Sequence, residues 1–180
     1  MQVTFGSTLP ATAAGKSEMA VKKFIPQAED KVQTSAQQKA KPAEETWISM
    51  FKPDAMKRAI VGRILTIMED MNFKIVDAKV VHFKDDKELL DKHYEEHLQR
   101  PFYPALTKFM MSGPSLVFKM AGPPGSLERL RGALGAAKNP APGTMRTQFA
   151  KDATENCLHV SATLDEAKAE IKNFFPEKTA

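Results

Sequence analysis

A single cysteine among 180 residues rules out an internal disulfide, and Cys157 alone fits a reducing compartment. No apolar run reaches the roughly 18 residues of a membrane span, so no transmembrane helix is expected. Arginine is missing before Arg58, while Glu18, Glu29 and Asp30 add acid to the same stretch. That pattern argues against a cleaved presequence. Charge of one sign is never massed. The formal net charge is +4 and the pI about 9.1, with basic residues interspersed among acidic ones. Such a balance suits an anionic small ligand as well as nucleic acid and selects neither. The "GPPGS" stretch (122–126) lacks the Gly-Lys-Ser/Thr of a P-loop, which is therefore excluded. Internal repeats and low-complexity tracts are also missing from the rest of the chain.

Large apolar groups are scarce over residues 1–44, where Ala, Lys, Gln, Ser and Thr dominate. Such a segment buries too little surface to offset its chain entropy, so a flexible N-terminal arm is expected, with "MAVKKFIP" as a small docking island. A folded domain is expected over 45–180. "TWISMF" reads as a strand ended by Lys52-Pro53. Met56, Ile60, Ile64, Ile67 and Met71 recur at helical spacing, predicting one amphipathic helix over 54–71. Strands follow at 73–83, 114–122 and 156–160. Helices are expected at 86–98, 101–112, 125–135 and 164–175, the last burying Ala167, Ile171, Phe174 and Phe175. Prolines and a glycine make 140–150 a loop. Without the central helical insertions this order is a twice-repeated split βαβ. The fold class is therefore α+β: a ferredoxin-like four-stranded antiparallel sheet covered by helices on one main face.

Chemistry concentrates near the C-terminal end. Arg131 and Arg146 flank the Gly/Pro loop, and Asn156 and His159 follow at once. Two guanidinium forks beside an imidazole suit a polyphosphate. His159 has three readings from its residues alone. It could be a satisfied core histidine, a metal ligand, or a nucleophile oriented by Glu170. His82, His93, His97 and Cys157 show no metal-ligand spacing, so no protein-held metal is expected. Tyr94 and the acidic neighbours of His93 and His97 point to an exposed helix face.

Four separated stretches, "FKPDAMKRAIVGRI", "HYEEHLQRPFYPALTKFMMSGP", "PGTMR" and "NCLHVSAT", together resemble the nucleoside diphosphate kinase family over about residues 46–176. The resemblance implies a ferredoxin-like domain that moves a γ-phosphate between nucleoside tri- and diphosphates through a phosphohistidine. It implies that His159 is the nucleophile, oriented by Glu170 with Ser161 in support. Lys52 would contact ribose and the transferring phosphate, with Tyr94 beside it. Phe102 would stack on the base and Leu106 would support that stack. Arg131 and Arg146 would clamp the phosphates, and Asn156 would bond the ribose. Mg2+ would ride on the nucleotide phosphates. The implied partners are nucleoside di- and triphosphates and either further copies of the chain or an assembly partner. The expected setting is cytoplasmic, with an organelle or a cytoskeletal assembly as alternatives.

Three departures accompany the resemblance. Val160 and Ala162 stand where the family usually has glycine and an acid. Lys138 lies near the place of a phosphate-binding threonine. The loop before "PGTMR" is shorter than in longer family versions. Valine after the nucleophile is expected to crowd its surroundings. Two functions follow: an active kinase, or a kinase-like domain kept as a docking module. A nucleic-acid binder comes third, since the basic excess is small and scattered.

Overall fold

The computed structural model describes residues 43–177, so the arm expected over 1–44 lies almost wholly outside the described residues. In chain order the elements are β1 (Glu45–Phe51), α1 (Pro53–Lys57), α2 (Val61–Asp70), β2 (Lys74–Val81) and α3 (Lys87–His93). A single 3-10 turn (Glu95–His97), α4 (Tyr103–Met110), β3 (Ser115–Gly122) and α5 (Ser126–Leu134) follow. The last are α6 (Met145–Phe149), β4 (Leu158–Val160) and α7 (Leu164–Phe174). The four strands lie in the order β2-β3-β1-β4, and each neighbouring pair is antiparallel. This is the ferredoxin-like α+β plan. Among the described residues no helix is long and apolar enough to cross a membrane.

Strand alternation sorts the core into two halves. Trp47, Phe51, Phe118, Met120, Leu158 and Val160 share one face. They pack with Ile64 and Met68 of α2, Leu127 and Leu130 of α5, and Met145 and Phe149 of α6. Ile48, Met50 and Val117 share the other face and pack with Leu90, Tyr94, Leu106, Met110 and Phe174. Helices therefore cover both faces rather than one main face. The central strands β1 and β3 carry apolar side chains on both sides, and burying each large one is worth about 1.5–3 kcal/mol.

The helix expected over 54–71 is two helices. Pro53 starts α1 at its first position, where the missing N–H costs nothing. Ala59 then takes a left-handed φ of 52° and turns the chain, after which α2 keeps Ile64 and Met68 on the core. The apolar stripe is continuous in sequence, but two axes carry it. Residues 140–150 are not loop throughout. Thr144 caps a short helix, α6, and its oxygen accepts from the Thr147 N–H. Met145 and Phe149, four apart, are both buried. A capping threonine followed by that apolar pair was the signal, and the preceding prolines masked it. Of the inward residues expected on α7, Ala167 and Phe174 are fully buried, whereas Ile171 and Phe175 are partly exposed.

Candidate active site

The site forms where the end of β1 meets the turn into β4. The Lys52 backbone N–H donates to Cys157 O at 2.9 Å. The Asp54 carboxylate accepts from the Cys157 N–H at 3.1 Å. Cys157 takes a left-handed φ of 67°, an uncommon state for a non-glycine residue that these two bonds hold in place. This twist is why β4 starts only at Leu158, two residues later than expected. The Cys157 thiol is pushed up to about 12 by burial and by Asp54, so it stays protonated and donates to Phe149 O at 2.9 Å.

His159 sits mid-strand in β4, opposite Met50 on β1. Its Nε2 lies 2.7 Å from Glu170 Oε1, one carboxylate oxygen of α7. The other oxygen accepts from the Ser161 hydroxyl. That hydroxyl also accepts from the Ile48 N–H at 3.0 Å. A carboxylate only accepts, so Nε2 carries the proton and Nδ1 is left with the lone pair. Ser161, Glu170 and His159 thus form a relay fixed to the central strand of the sheet.

Beyond them runs a ladder of rings. His159 packs edge-on against His93, with centroids 4.5 Å apart. His93 meets Tyr94 at 4.5 Å, Tyr94 stacks with His97 at 6.1 Å, and His97 meets Phe102 at 5.3 Å. Phe102 ends the ladder half exposed, whereas Leu106 beneath it on α4 is buried. His93 and His97 therefore do not lie on a plain exposed helix face. The helix expected over 86–98 stops at His93, and the 3-10 turn swings His97 between Tyr94 and Phe102. The His93 side chain is fully buried. Burial, then the neighbouring His159 and Lys52, hold its pKa well below the usual histidine value, so it is neutral. Burial likewise raises the Tyr94 phenol well above its ordinary pKa. Read from the sequence, His93 and His97 are set aside as an exposed face and given no part in the site. The signal available was their adjacency to Tyr94 within the quoted motif.

The cations converge from the other side. Arg146 Nη1 donates to Gly135 O at 2.7 Å and Nη2 to Leu158 O at 3.1 Å. Arg131 Nη1 donates to Ser161 O at 3.2 Å. Both guanidinium groups are thus braced on the carbonyls around β4. Burial and then Arg131 hold the Arg146 pKa below its ordinary value. Lys52 is buried, and desolvation followed by Arg146 lowers its pKa from 10.5 to about 8. Asn156 donates to Ala153 O at 2.8 Å, while its buried Oδ1 has no partner among the described residues. Arg146 lines an open cleft of about 540 Å³ together with Lys138, Lys151 and Asp152, so Lys138 adds a cation to that cleft. It also lines a neighbouring hollow of about 290 Å³ with Arg131 and Gly135.

The structure thus joins His159, Glu170 and Ser161 by direct bonds. It sets Lys52 beside Arg146 and His93, and links Tyr94 to Phe102 through His97. Val160 does not crowd the imidazole. Successive strand residues point to opposite faces, and Val160 is buried in the core beside Phe51 and Leu158.

A profile of the nucleoside diphosphate kinase family matches residues 44–180. A nucleoside diphosphate kinase from Thermus thermophilus is 41% identical over 138 residues, covering 75% of this chain and 98% of that protein. One from Methanocaldococcus jannaschii is 39% identical over 137 residues, covering 74% and 94%. The solved structure of a Halobacterium salinarum nucleoside diphosphate kinase in complex with CDP superposes with a TM-score of 0.68. Its identity is 34%, with 74% of this chain and 88% of that chain covered. Matched by profile, by sequence across nearly the whole length of its relatives, and by fold, the chain belongs to the nucleoside diphosphate kinase family.

Proposed function

We propose that this chain moves the γ-phosphate of a nucleoside triphosphate onto a nucleoside diphosphate in two half-reactions, with His159 as the carrier. The observation that carries the reading is the relay from Ser161 through Glu170 to His159 Nε2, which leaves Nδ1 as the free nucleophile. The Nδ1 lone pair attacks the γ-phosphorus, the bond from phosphorus to the bridging oxygen breaks, and the diphosphate leaves. The imidazole becomes cationic, and Glu170 offsets that charge through the bond it already makes. The reverse step delivers the phosphoryl group to a second diphosphate.

The remaining residues take binding roles in this proposal. Arg131 and Arg146 hold phosphate oxygens, and their bracing on β4 carbonyls fixes them relative to His159. The Lys52 ammonium neutralises the transferring group. Tyr94 packs within the ladder that leads from His93 toward the base platform. The exposed Phe102 face, backed by Leu106, stacks on the base, and Asn156 Oδ1 is a free acceptor for a ribose hydroxyl. The donors around the phosphate side are cationic, which fits Mg2+ entering on the nucleotide phosphates rather than in a protein cage. That ion would shield charge on the transferring phosphate. A homo-oligomer belongs to the same proposal, supported by Ile75, Val76 and Val80 exposed on the edge strand β2. A cytoplasmic setting, supported by the lone cysteine, does too. Nothing in the comparisons favours the docking-module reading.

Steady-state phosphotransfer tests the proposal. Double-reciprocal plots should be parallel, because the first product leaves before the second substrate binds. ATP, GTP, CTP and UTP should serve as donors within about tenfold of one another, since base stacking is worth only ~1–3 kcal/mol and tolerates any base. Intersecting lines would replace the carrier with direct transfer. A donor preference far beyond tenfold would mean that the pocket reads base edges.

A further inference from the structure

We propose that His93, His159 and Glu170 form a site for a borderline divalent transition metal ion, of which Zn2+ is the type case. Donor atoms of all three lie within 4.8 Å of one another. His159 Nε2 stands 2.7 Å from Glu170 Oε1, and His93 Nδ1 stands 3.5 Å from the same oxygen. Ligands about 2.0–2.1 Å from a tetrahedral ion are roughly 3.3 Å apart, so these separations bracket what one ion requires. Small rotations of the two imidazoles and the carboxylate complete the set.

His93 supplies the independent observation. Its side chain is fully buried, and neither ring nitrogen has a hydrogen-bond partner. A buried polar atom without a partner is costly, and nothing in the proposed transfer uses this one. The nitrogen nearer the relay is Nδ1, beside Glu170. His159 and Glu170 are 22% and 12% exposed at their side chains, so an ion can enter from the nucleotide side. Ser161 already orients the carboxylate from behind, as a residue outside the ligand set should. Two imidazoles and one carboxylate suit Zn2+ with a fourth position open to water or a phosphate oxygen. Mg2+, which prefers oxygen ligands, is a poor competitor here. The whole sequence has four histidines and one cysteine, and His82 lies exposed on its own. Competing soft-donor sites are correspondingly few.

Binding has a chemical consequence that rests on the kinase reading. An ion on Nε2 takes that lone pair, and the imidazole proton moves to Nδ1. The atom that must attack phosphorus then carries hydrogen instead of a lone pair. Zinc occupancy therefore switches the carrier off, and chelation restores it.

The test titrates the full-length protein, without nucleotide, with Zn2+ by calorimetry and with Co2+ as its optical stand-in. One ion per chain should bind, and Co2+ should show the visible bands of low-coordinate nitrogen and oxygen ligation. His93→Ala and His159→Ala should each weaken binding about tenfold or more, while His82→Ala should leave it unchanged. If His93→Ala fails to fold, His159→Ala, at a side chain only 22% exposed but at the mouth of the site, decides alone. Unchanged affinity in the folded variants, or no binding at millimolar metal, overturns the site. A second arm measures phosphoenzyme formation from ATP after zinc loading and again after EDTA. Zinc bound without loss of rate overturns the switch. A wild type that binds zinc yet never takes up phosphate sinks the kinase reading and leaves the site standing.

Discussion

Lys52→Met should stabilise the fold at pH 7 while abolishing phosphotransfer. Lys52 lies buried at the end of β1, and its pKa falls from 10.5 to about 8 through desolvation first and Arg146 second. Asp54, Cys157 and Asp152 pull the other way but do not make up the difference. At about 1.4 kcal/mol per pH unit, the depression equals a cost of about 3 kcal/mol for keeping the charge in the folded state. Methionine fills nearly the same volume without charge. That figure is already net of the attraction to Asp54, which keeps its bond from the Cys157 N–H at 3.1 Å, so the gain is about 3 kcal/mol. That is worth roughly 10 °C in Tm for a domain of this size. The sign of the pH dependence follows. Below pH 8 both folded and unfolded Lys52 are charged and the cost is full. Between pH 8 and 10.5 the folded side chain releases its proton while the unfolded one keeps it, so wild-type stability gains on the variant. Urea denaturation of both proteins from pH 7 to 11 reads this directly. The gap should narrow across that window and close above it. A variant less stable than wild type at pH 7, or a gap indifferent to pH, would refute the desolvation argument.

Val160→Gly should destabilise the protein by about 3 kcal/mol without raising its phosphotransfer rate. Val160 is buried among Phe51 and Leu158, and the change leaves a cavity and a looser strand. A rate increase would show that valine does displace His159. Deleting residues 1–40 should leave the Tm within a few degrees, because among the described residues the two core halves are built from 47–174. A collapse on deletion would show that the arm packs against the domain.

The sheet was legible because its strands alternate or run apolar between clear breakers. Pro53 and the stripe from Met56 to Met71 announced helix, but not the turn at Ala59. A left-handed alanine leaves no mark in the apolar period, since both helices bury the same stripe. Helix α6 hid behind Pro140, Pro142 and Gly143. The helices on the second face were unforeseen because the βαβ plan describes connections, while cover on both faces follows from side chains such as Met50 and Val117. For the candidate site, the sequence motifs offered Lys52, Arg131, Arg146, Asn156 and His159 one by one. What sequence spacing does not carry is three-dimensional convergence. His93 stands 66 positions before His159, yet their rings touch because α3 packs on the sheet face to which His159 of β4 points, the face of Met50.

His159 is the proposed carrier of the phosphate. Incubating the protein with γ-labelled ATP should yield a phosphoprotein whose label is labile in acid and stable in base, attached at Nδ1 of His159. His159→Ala should bind nucleotide yet take up no label. Label that persists in that variant, or a folded wild type that takes up none, would contradict the account.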